Sequence, residues 1–253
     1  MKEKTTINPA YVKYADFLAS LPDIMESAGR VVQDRRNLIK ALEHDGTTFN
    51  VKRFRKPIWI NRVVYTLFRA PKARKAYRNA EVMLSRGFST PEPIALIEQY
   101  EGGLIGYSYF VSLQLDAVRE IREYYFSEGG SADLALLGEF ARYTAALHEA
   151  EIYHKDYSPG NILIRDTETG PQFSLVDINR MKFGRVGMEA GCANFARLFE
   201  HDRVARFIAG EYAAARGFAP AQCIACALRY KHSFERQKRR KLRLKKFMRP
   251  DRR

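Results

Sequence analysis

Apolar and polar residues alternate over short stretches in the first half of the chain, as they do in strands that have one buried face. Five strands are predicted on this basis, at residues 30–33, 38–43, 48–54, 96–100 and 104–113. The turn His44-Asp-Gly-Thr47 joins the second strand to the third, and Gly102-Gly103 joins the last two, as is typical of hairpins. The pattern therefore predicts a five-stranded antiparallel sheet.

Apolar residues at helical spacing predict most of the remaining elements. Helices are expected at residues 58–69, 71–87, 132–151 and 192–230. The result is an α+β fold of two lobes, a sheet with one helix followed by a mainly helical lobe, with a cleft near Gln114. We expect a leader at residues 1–28, a first lobe at 29–113, a second lobe at 114–229 and a tail at 230–253.

The stretch from residue 152 to residue 183 carries the candidate chemistry. Apolar runs at 162–164 and 173–176, separated by a polar turn, predict a hairpin that brings Asn161 beside Asp177. Amide and carboxylate oxygens are hard ligands of the kind that Mg²⁺ takes. Asp156, shortly before the hairpin, suits the acceptance of a proton from a substrate hydroxyl. An ordinary polar turn at residues 156–160 is the alternative interpretation.

These residues resemble the protein-kinase-like superfamily. His154, Asp156 and Asn161 fit the pattern H-x-D-x-x-x-x-N, and Asp177 matches the aspartate of the D-F-G element. The resemblance implies a two-lobed protein-kinase-like fold, with ATP as the phosphate donor and Asp156 as the catalytic base. It further implies that Asn161 and Asp177 hold magnesium and that His154 braces the loop.

Two residues of the first lobe are candidates for binding the nucleotide. In FNVKRF, alternation puts Val51 and Arg53 on one face of the strand and Lys52 on the other, where a kinase-like lysine reaches the phosphates. Glu81 is the only acidic residue of the helix that follows Pro71, so it is selected by elimination as the partner of Lys52. A surface lysine and a solvated helix carboxylate are the alternative interpretations.

The nucleotide-binding part departs from that of protein kinases. Gln33-Asp-Arg-Arg-Asn37 stands where they have a glycine-rich loop, so we expect Arg35 or Arg36 to contact phosphate in place of backbone amides. No G-x-x-x-x-G-K-[ST] motif occurs, which excludes a P-loop enzyme.

The catalytic part departs as well. Asp177 is followed by Ile-Asn-Arg instead of Phe-Gly, and no A-P-E triplet follows, which argues against control by phosphorylation of an activation loop. Ser158 stands where many protein kinases have a lysine. The charge on the transferred phosphoryl group must then be met by magnesium, Lys52 or Lys155.

These departures, with the phrases RRNLIKAL, VKRF, KAYRNAEVMLSRGFSTPEPIALIE and VDINR, resemble the lipopolysaccharide core kinases, the Kdo and heptose kinase family. The resemblance runs from about Gly29 to the tail. It implies ATP-dependent phosphorylation of a sugar hydroxyl on the lipid A core glycolipid. It also implies that this reaction takes place at the cytoplasmic face of the inner membrane of a Gram-negative bacterium.

The net charge of +14 lies mostly at the C-terminus, because residues 230–253 hold twelve Lys or Arg against two acids. Apolar residues interrupt this basic run, namely Leu242, Leu244, Phe247 and Met248. The charge alone fits nucleic acid, an anionic membrane surface, a phosphorylated glycolipid or a solvated helix. The apolar residues favour an interfacial helix over a disordered arm. The aromatic and basic segment at residues 58–69 has two interpretations, core packing or a surface facing membrane or substrate.

Other features of the sequence limit the cellular compartment and the binding partners that we expect. The start of the chain lacks a signal-peptide apolar block and no run could span a bilayer, so we expect a cytoplasmic protein. Three cysteines do not form a disulfide framework, and buried thiols are expected. No DNA-reading or RNA-reading motif occurs, so no nucleic acid is expected as a partner.

Two other functions stay open at this point. The first is a protein or small-molecule kinase of the same fold. The second is a non-catalytic protein, either a pseudokinase that binds an anionic surface or a nucleic-acid binder that uses the basic tail. Labelled ATP with a panel of acceptors separates the first from a lipopolysaccharide kinase, and magnesium-dependent binding of ATP tests the second.

Overall fold

The computed structural model describes residues 2–116 and 118–248, and the contacts within the chain divide it into two compact units. The first unit is Met1–Ala117 together with Ser174–Arg180. The second is Val118–Phe173 together with Met181–Arg253. Residues 249–253 of the predicted tail lie outside the described residues, as do the side chains of Phe247 and Met248.

A six-stranded antiparallel sheet forms the centre of the first unit, in the order β1-β5-β6-β4-β3-β2. Its strands are β1 (Lys2–Ile7), β2 (Arg30–Asp34), β3 (Leu38–His44), β4 (Thr47–Phe54), β5 (Pro93–Glu101) and β6 (Leu104–Leu113). All five predicted strands are present, and β1 adds a sixth by pairing with β5. Nearly every residue of β1 is exposed, so it has no apolar alternation that the sequence pattern could reveal.

Three helices accompany this sheet, namely α1 (Ala15–Ile24), α2 (Trp59–Leu67) and α3 (Lys72–Ser85). Leu18 and Leu21 of α1 are fully buried against strand residues such as Phe49 and Val51. The predicted leader is therefore not a separate segment, because burial of its apolar residues makes it part of the core of the first unit.

The segment Ser174–Arg180 belongs to the first unit, whereas the sequence analysis put it in the second lobe. Hydrogen bonds attach it to the chain after α3: the hydroxyls of Ser89 and Ser174 lie 2.7 Å apart, and the Thr90 hydroxyl donates to the Leu175 carbonyl oxygen over 2.7 Å. Tertiary contacts of this kind leave no trace in the local pattern of residues.

The second unit is mainly helical, as predicted. Its strands are β7 (Arg119–Glu120), β8 (Ile152–His154), β9 (Ile162–Thr167), β11 (Met181–Phe183) and the first part of β10 (Gly170–Leu175), and its helices are α4 (Ser131–Glu149), α5 (Met188–Asn194), α6 (Asp202–Arg216) and α7 (Pro220–Met248). In the sheet β10-β9-β7, the strands β9 and β10 form the predicted hairpin, with a shorter turn than expected. The pair β8 and β11 is antiparallel.

Helix α7 continues without a break through the predicted start of the tail at residue 230. Its first half packs on α6 and buries Cys223 and Cys226, which are free thiols as expected. From Arg236 to Leu244 every side chain is exposed. None of the helices in the described residues combines the length and apolarity that crossing a bilayer requires.

Candidate active site

The loop between β8 and β9 carries Asp156 and is held by buried neighbours on either side of that residue. His154 and Tyr157 are almost fully buried. The backbone N–H of Asp156 donates to Nδ1 of His154 over 3.0 Å, and the Tyr157 hydroxyl lies 2.8 Å from the Thr144 hydroxyl of α4. The carboxyl group of Asp156 keeps part of its surface exposed to solvent. His154 is thus a brace, as predicted, and the loop presents Asp156.

A chain of buried hydrogen bonds supports this loop from behind. Tyr212 donates its hydroxyl to Nδ1 of His148 over 2.9 Å, and Nε2 of His148 donates to Oδ1 of Asn194 over 3.1 Å. The Asn194 amide in turn donates to the carbonyl oxygen of His154 over 3.2 Å. Burial lowers the pKa of His148 to about 4. The imidazole of His148 in this series of hydrogen bonds is therefore neutral at physiological pH.

Close packing in this chain depends on a glycine. A Cβ on Gly191 of α5 would overlap the hydroxyl of Tyr212. A side chain at this position would push Tyr212 away from His148, so we expect the glycine to be needed for the support of the loop.

Arg197, which follows α5, forms an ion pair with the predicted catalytic base. Its Nη1 lies 2.7 Å from Oδ1 of Asp156, its Nη2 donates to the Lys155 carbonyl oxygen over 3.4 Å, and its guanidinium lies 5.8 Å from the ring centre of Phe234. The sequence analysis missed this residue. Arg197 comes 41 residues after Asp156, and no local motif indicates that the two meet.

Asn161 closes the loop with its side chain. Its amide Nδ2 donates to the carbonyl oxygen of Asp156 over 2.8 Å, and its backbone N–H donates to the Ser158 carbonyl oxygen over 2.9 Å. With the amide nitrogen engaged in this way, Oδ1 is the atom that Asn161 offers to a cation. An amide oxygen of this kind fits the hard-oxygen donor set of magnesium.

In the first unit, Lys52 of β4 forms an ion pair with Asp177. Their Nζ and Oδ1 atoms lie 2.6 Å apart, and the Asn179 amide donates to the same Oδ1 over 2.7 Å. Asp177 has a left-handed backbone, with φ of 56°, which is uncommon outside glycine and which aspartate tolerates better than most residues. Lys52 points away from the face that holds Val51, as the alternation predicted.

Further cations act at this ion pair. Burial lowers the pKa of Lys72, the first residue of α3, and the charges of Arg36, Arg180 and Lys52 lower it further, whereas Asp177 raises it. A group of cations around one carboxylate suits the binding of a multiply charged anion such as a polyphosphate. Arg36 belongs to the predicted replacement of the glycine-rich loop, whereas the sequence analysis did not identify Lys72 or Arg180.

The structure corrects the assignment of Glu81. Among the described residues, no hydrogen bond or ion pair joins Glu81 to Lys52, which pairs with Asp177 instead. Glu81 is exposed, whereas Ala80 beside it is buried. The α3 residue that does contact the Asp177 segment is Asn79, whose amide donates to the Ile178 carbonyl oxygen over 2.7 Å. Elimination by residue type ignored which face of the helix is buried.

The predicted site residues thus fall into two groups. Lys52 and Asp177 meet in the first unit, and Asp156 and Asn161 meet in the second. Because the two groups belong to different units, the prediction that Asn161 lies beside Asp177 stays a prediction. The donor types nevertheless fit a magnesium ion, since a carboxylate and an amide oxygen are available.

The chain matches a protein family in sequence and a solved structure in fold. A sequence model of the lipopolysaccharide kinase (Kdo/WaaP) family matches residues 23–211. A solved structure of WaaP in complex with acyl carrier protein is similar in fold, with a TM-score of 0.63 and 14% identity, covering 91% of this chain and 98% of that one. A MAP kinase of Leishmania major gives a TM-score of 0.39 and 16% identity, covering 68% of this chain and 51% of that one. No curated protein matches the sequence.

Proposed function

Because the chain belongs to the lipopolysaccharide kinase (Kdo/WaaP) family, we propose that it transfers the terminal phosphate of ATP to a hydroxyl of Kdo or heptose in the lipopolysaccharide inner core. The observation that carries this proposal is the ion pair between Lys52 and Asp177, which lie 125 residues apart in sequence. Such a pair unites a phosphate-binding cation with a magnesium-binding carboxylate, as kinase chemistry requires.

Each residue then has a definite role. Lys52, with Lys72 and Arg36 nearby, binds the phosphates of ATP. Asp177 and Asn161 would hold magnesium, which neutralises charge on the phosphates when it is bound. Asp156 orients the acceptor hydroxyl by a hydrogen bond and takes its proton as the phosphoryl group arrives.

Arg197 fills the gap left by Ser158. The catalytic loop lacks the lysine that many protein kinases carry there, and the guanidinium beside Asp156 supplies a cation from a distant part of the sequence. A cation at this position keeps Asp156 oriented and offsets the negative charge that gathers around it during transfer. Arg197 is a positioning residue in this proposal.

The acceptor explains the basic character of the chain. A lipid A core glycolipid is anionic and embedded in a membrane, so a peripheral position on the cytoplasmic face of the inner membrane follows from the proposed reaction. The six cations in the exposed part of α7, residues 236–244, suit an anionic surface. No nucleic acid is needed as a partner.

Purified protein with labelled ATP, magnesium and a panel of acceptors tests the proposal. We expect label on a Kdo-containing or heptose-containing lipid A acceptor and none on generic protein substrates or aminoglycosides. Labelling of a protein or an antibiotic instead would favour another kinase of the same fold. No magnesium-dependent binding of ATP would favour a pseudokinase.

A second partner comes from the structural comparison, because the similar WaaP is in complex with acyl carrier protein. We propose acyl carrier protein as a candidate partner of this chain as well. Copurification of the tagged chain with acyl carrier protein, and loss of the complex at high salt, would support a charged interface.

A further inference from the structure

Helix α2 packs on the sheet with its polar side. Arg62 donates from Nε to the Ile105 carbonyl oxygen over 2.7 Å, and from Nη2 to the carbonyl oxygens of Glu101 and Leu104 over 3.1 Å each. The Thr66 hydroxyl accepts a hydrogen bond from the Ile105 backbone over 2.9 Å. These contacts tie α2 to the hairpin of β5 and β6 through hydrogen bonds.

Several large apolar residues of α2 and its two ends are exposed, whereas Val63, Val64 and Tyr65 are half-buried. All nine residues of α2 lie in the described part of the chain, and none of them is buried. Five large apolar residues in this region are between 59% and 79% exposed, namely Ile58, Trp59, Ile60, Leu67 and Phe68. An amphipathic surface helix ordinarily turns its large apolar side chains toward the core, so the exposure of these five departs from the ordinary pattern.

Helical geometry shows that three of these exposed residues share one side of the helix. At roughly 100° per residue, Ile60, Leu67 and Phe68 lie on the side of the helix opposite to Arg62 and Thr66. Trp59, in the first turn of the helix, lies on the side of Arg62 and Thr66 by the same count, and its side chain is 70% exposed. A contiguous apolar patch on a soluble unit indicates a site for a partner.

Charge indicates which partner covers the patch. Residues 46–80, which contain α2, hold ten Lys or Arg and no Asp or Glu, and five of these cations form ion pairs with acids elsewhere in the first unit. Arg55 and Arg69, on the two flanks of the helix, are both exposed. Aromatic residues beside arginines are typical of helices at the headgroup level of a bilayer, and exposed arginines are attracted to anionic lipids.

We propose that α2 is a membrane-docking helix, whose exposed apolar side chains enter the headgroup region of an anionic bilayer while Arg62 and Thr66 hold it on the sheet. The proposal takes from the proposed function only the identity of the membrane. Docking through α2 would add apolar insertion to the electrostatic attraction of α7, so that binding needs both anionic lipid and buried apolar area.

Trp59 is the only tryptophan of the chain, so its fluorescence reports on α2 alone. We expect the emission of the full chain to shift to shorter wavelength on vesicles of phosphatidylcholine and phosphatidylglycerol, and to be quenched when the acyl chains carry bromine. Pure phosphatidylcholine vesicles should give a much smaller change. If the chain sediments with the mixed vesicles but the Trp59 emission neither shifts nor is quenched, α7 alone accounts for the binding. That result would overturn the proposal.

Matched variants separate insertion from charge. Phe68→Ala should weaken binding to mixed vesicles about tenfold, because one large apolar side chain no longer enters the bilayer. Phe126→Ala is the control, since Phe126 is 73% exposed but belongs to the second unit, and it should bind as the unaltered chain does. The double variant Arg55→Glu, Arg69→Glu should lose affinity for mixed vesicles only. Equal binding by Phe68→Ala and the unaltered chain would contradict the proposal.

Two further control experiments check that the variant is folded and that the partner is a bilayer. An unchanged unfolding midpoint for Phe68→Ala shows that the variant is folded, and exposed side chains give little reason for a change. Acyl carrier protein replaces the vesicles in the second arm, and a shift of Trp59 emission with this protein but not with vesicles would make α2 a protein-binding surface and refute membrane docking.

Kinase assays distinguish this inference from the proposed function. Phe68→Ala should phosphorylate a water-soluble core fragment as fast as the unaltered chain does, and should be slower only on acceptor embedded in vesicles. Absence of transfer by the unaltered chain would refute the proposed function, while the fluorescence result would still decide whether α2 docks.

Discussion

The two units hold their parts of the candidate site in different ways. In the first unit, Lys52 and Asp177 meet as an ion pair, with a third of the Asp177 side chain exposed. In the second, the loop around Asp156 is supported by His154 and Tyr157. Both residues are buried, and each takes part in a hydrogen bond between uncharged groups. The first part is held by an ion pair, and the second by buried supports together with the ion pair of Asp156 with Arg197.

The difference suits the two tasks that we propose. A charged pair at a partly exposed position is exchanged readily for contacts with a ligand, so that Lys52 moves to phosphate and Asp177 to magnesium when the nucleotide binds. A loop on buried supports keeps its geometry with or without ligand, which general base catalysis requires of Asp156. Four predictions test this contrast.

Replacement of the catalytic base should have the largest effect. Asp156→Asn keeps the shape of the loop and removes the proton acceptor, so we expect turnover to fall by roughly 10²- to 10⁴-fold. Binding of ATP with magnesium should stay unchanged, because Asp156 does not serve the nucleotide. Asp166→Asn, which removes a carboxylate from the neighbouring hairpin, is the matched control and should retain turnover. A comparable loss in both variants would argue against a special role for Asp156.

Asp177→Asn should act on the nucleotide. We expect the affinity for ATP with magnesium to fall by about 10- to 100-fold, as the loss of charge-assisted contacts implies. Without magnesium the variant should bind ATP at least as well as the unaltered chain, since Lys52 no longer pairs with a carboxylate. Calorimetric titration with and without magnesium measures both values. Equal loss under both conditions would indicate disrupted folding instead of a lost metal ligand.

Arg197 should show that the loop needs a cation in addition to its buried supports. Arg197→Ala should lower kcat about tenfold through misplacement of Asp156, with an unchanged KM for ATP. Arg197→Lys keeps the charge and should recover part of kcat. No recovery by lysine, together with a lower unfolding midpoint in both variants, would assign Arg197 to stability alone.

The smallest effect is expected from His148. It concerns the free energy of unfolding and how that free energy depends on pH. The ordinary pKa of histidine is 6.5 and burial lowers the pKa of His148 to about 4, so the unfolded chain binds a proton more readily than the folded chain does. Stability should therefore fall as the pH drops through 6.5, by about 2 kcal/mol between pH 7 and pH 5 for this group. Below about pH 4 the loss from this group is complete.

Chemical denaturation across this pH range measures the effect. His148→Gln keeps hydrogen-bonding groups without the titration, so its stability should depend less on pH than that of the unaltered chain. The same slope in both chains would mean that other groups dominate the pH dependence.

The sequence pattern predicted those parts of the fold that depend on residues close together in the sequence. Strand alternation identified β3 to β6, and β2 was predicted although all five of its residues are exposed. The Asp45-Gly46 turn has the positive φ values at both residues that such hairpins require. The spacing of His154, Asp156 and Asn161 identified the loop between β8 and β9 as the candidate site because the loop is one continuous piece of chain.

Features that depend on distant contacts escaped the sequence analysis. Arg197 and Asn194 reach the catalytic loop from α5 and the turn after it, and nothing near Asp156 indicates them. Strand β1 has no buried face to produce an alternation. Glu81 was chosen by residue type, whereas the burial of Ala80 and Met83 fixes an inner face of α3 that excludes it.

The same limit applies to α2. Its apolar residues fit either the core or a surface, and only the hydrogen bonds of Arg62 and Thr66 to the β5–β6 hairpin decide between the two. The sequence thus reveals an amphipathic helix, and tertiary contacts determine which side faces out.

The central claim is most directly tested by mass spectrometry of the lipid A core from cells that carry the unaltered gene, the Asp156→Asn gene or no gene. The account predicts one additional phosphate on an inner-core sugar in the first cells, and its absence from the other two. An identical set of core masses in all three would contradict the claim that this chain phosphorylates the lipopolysaccharide core.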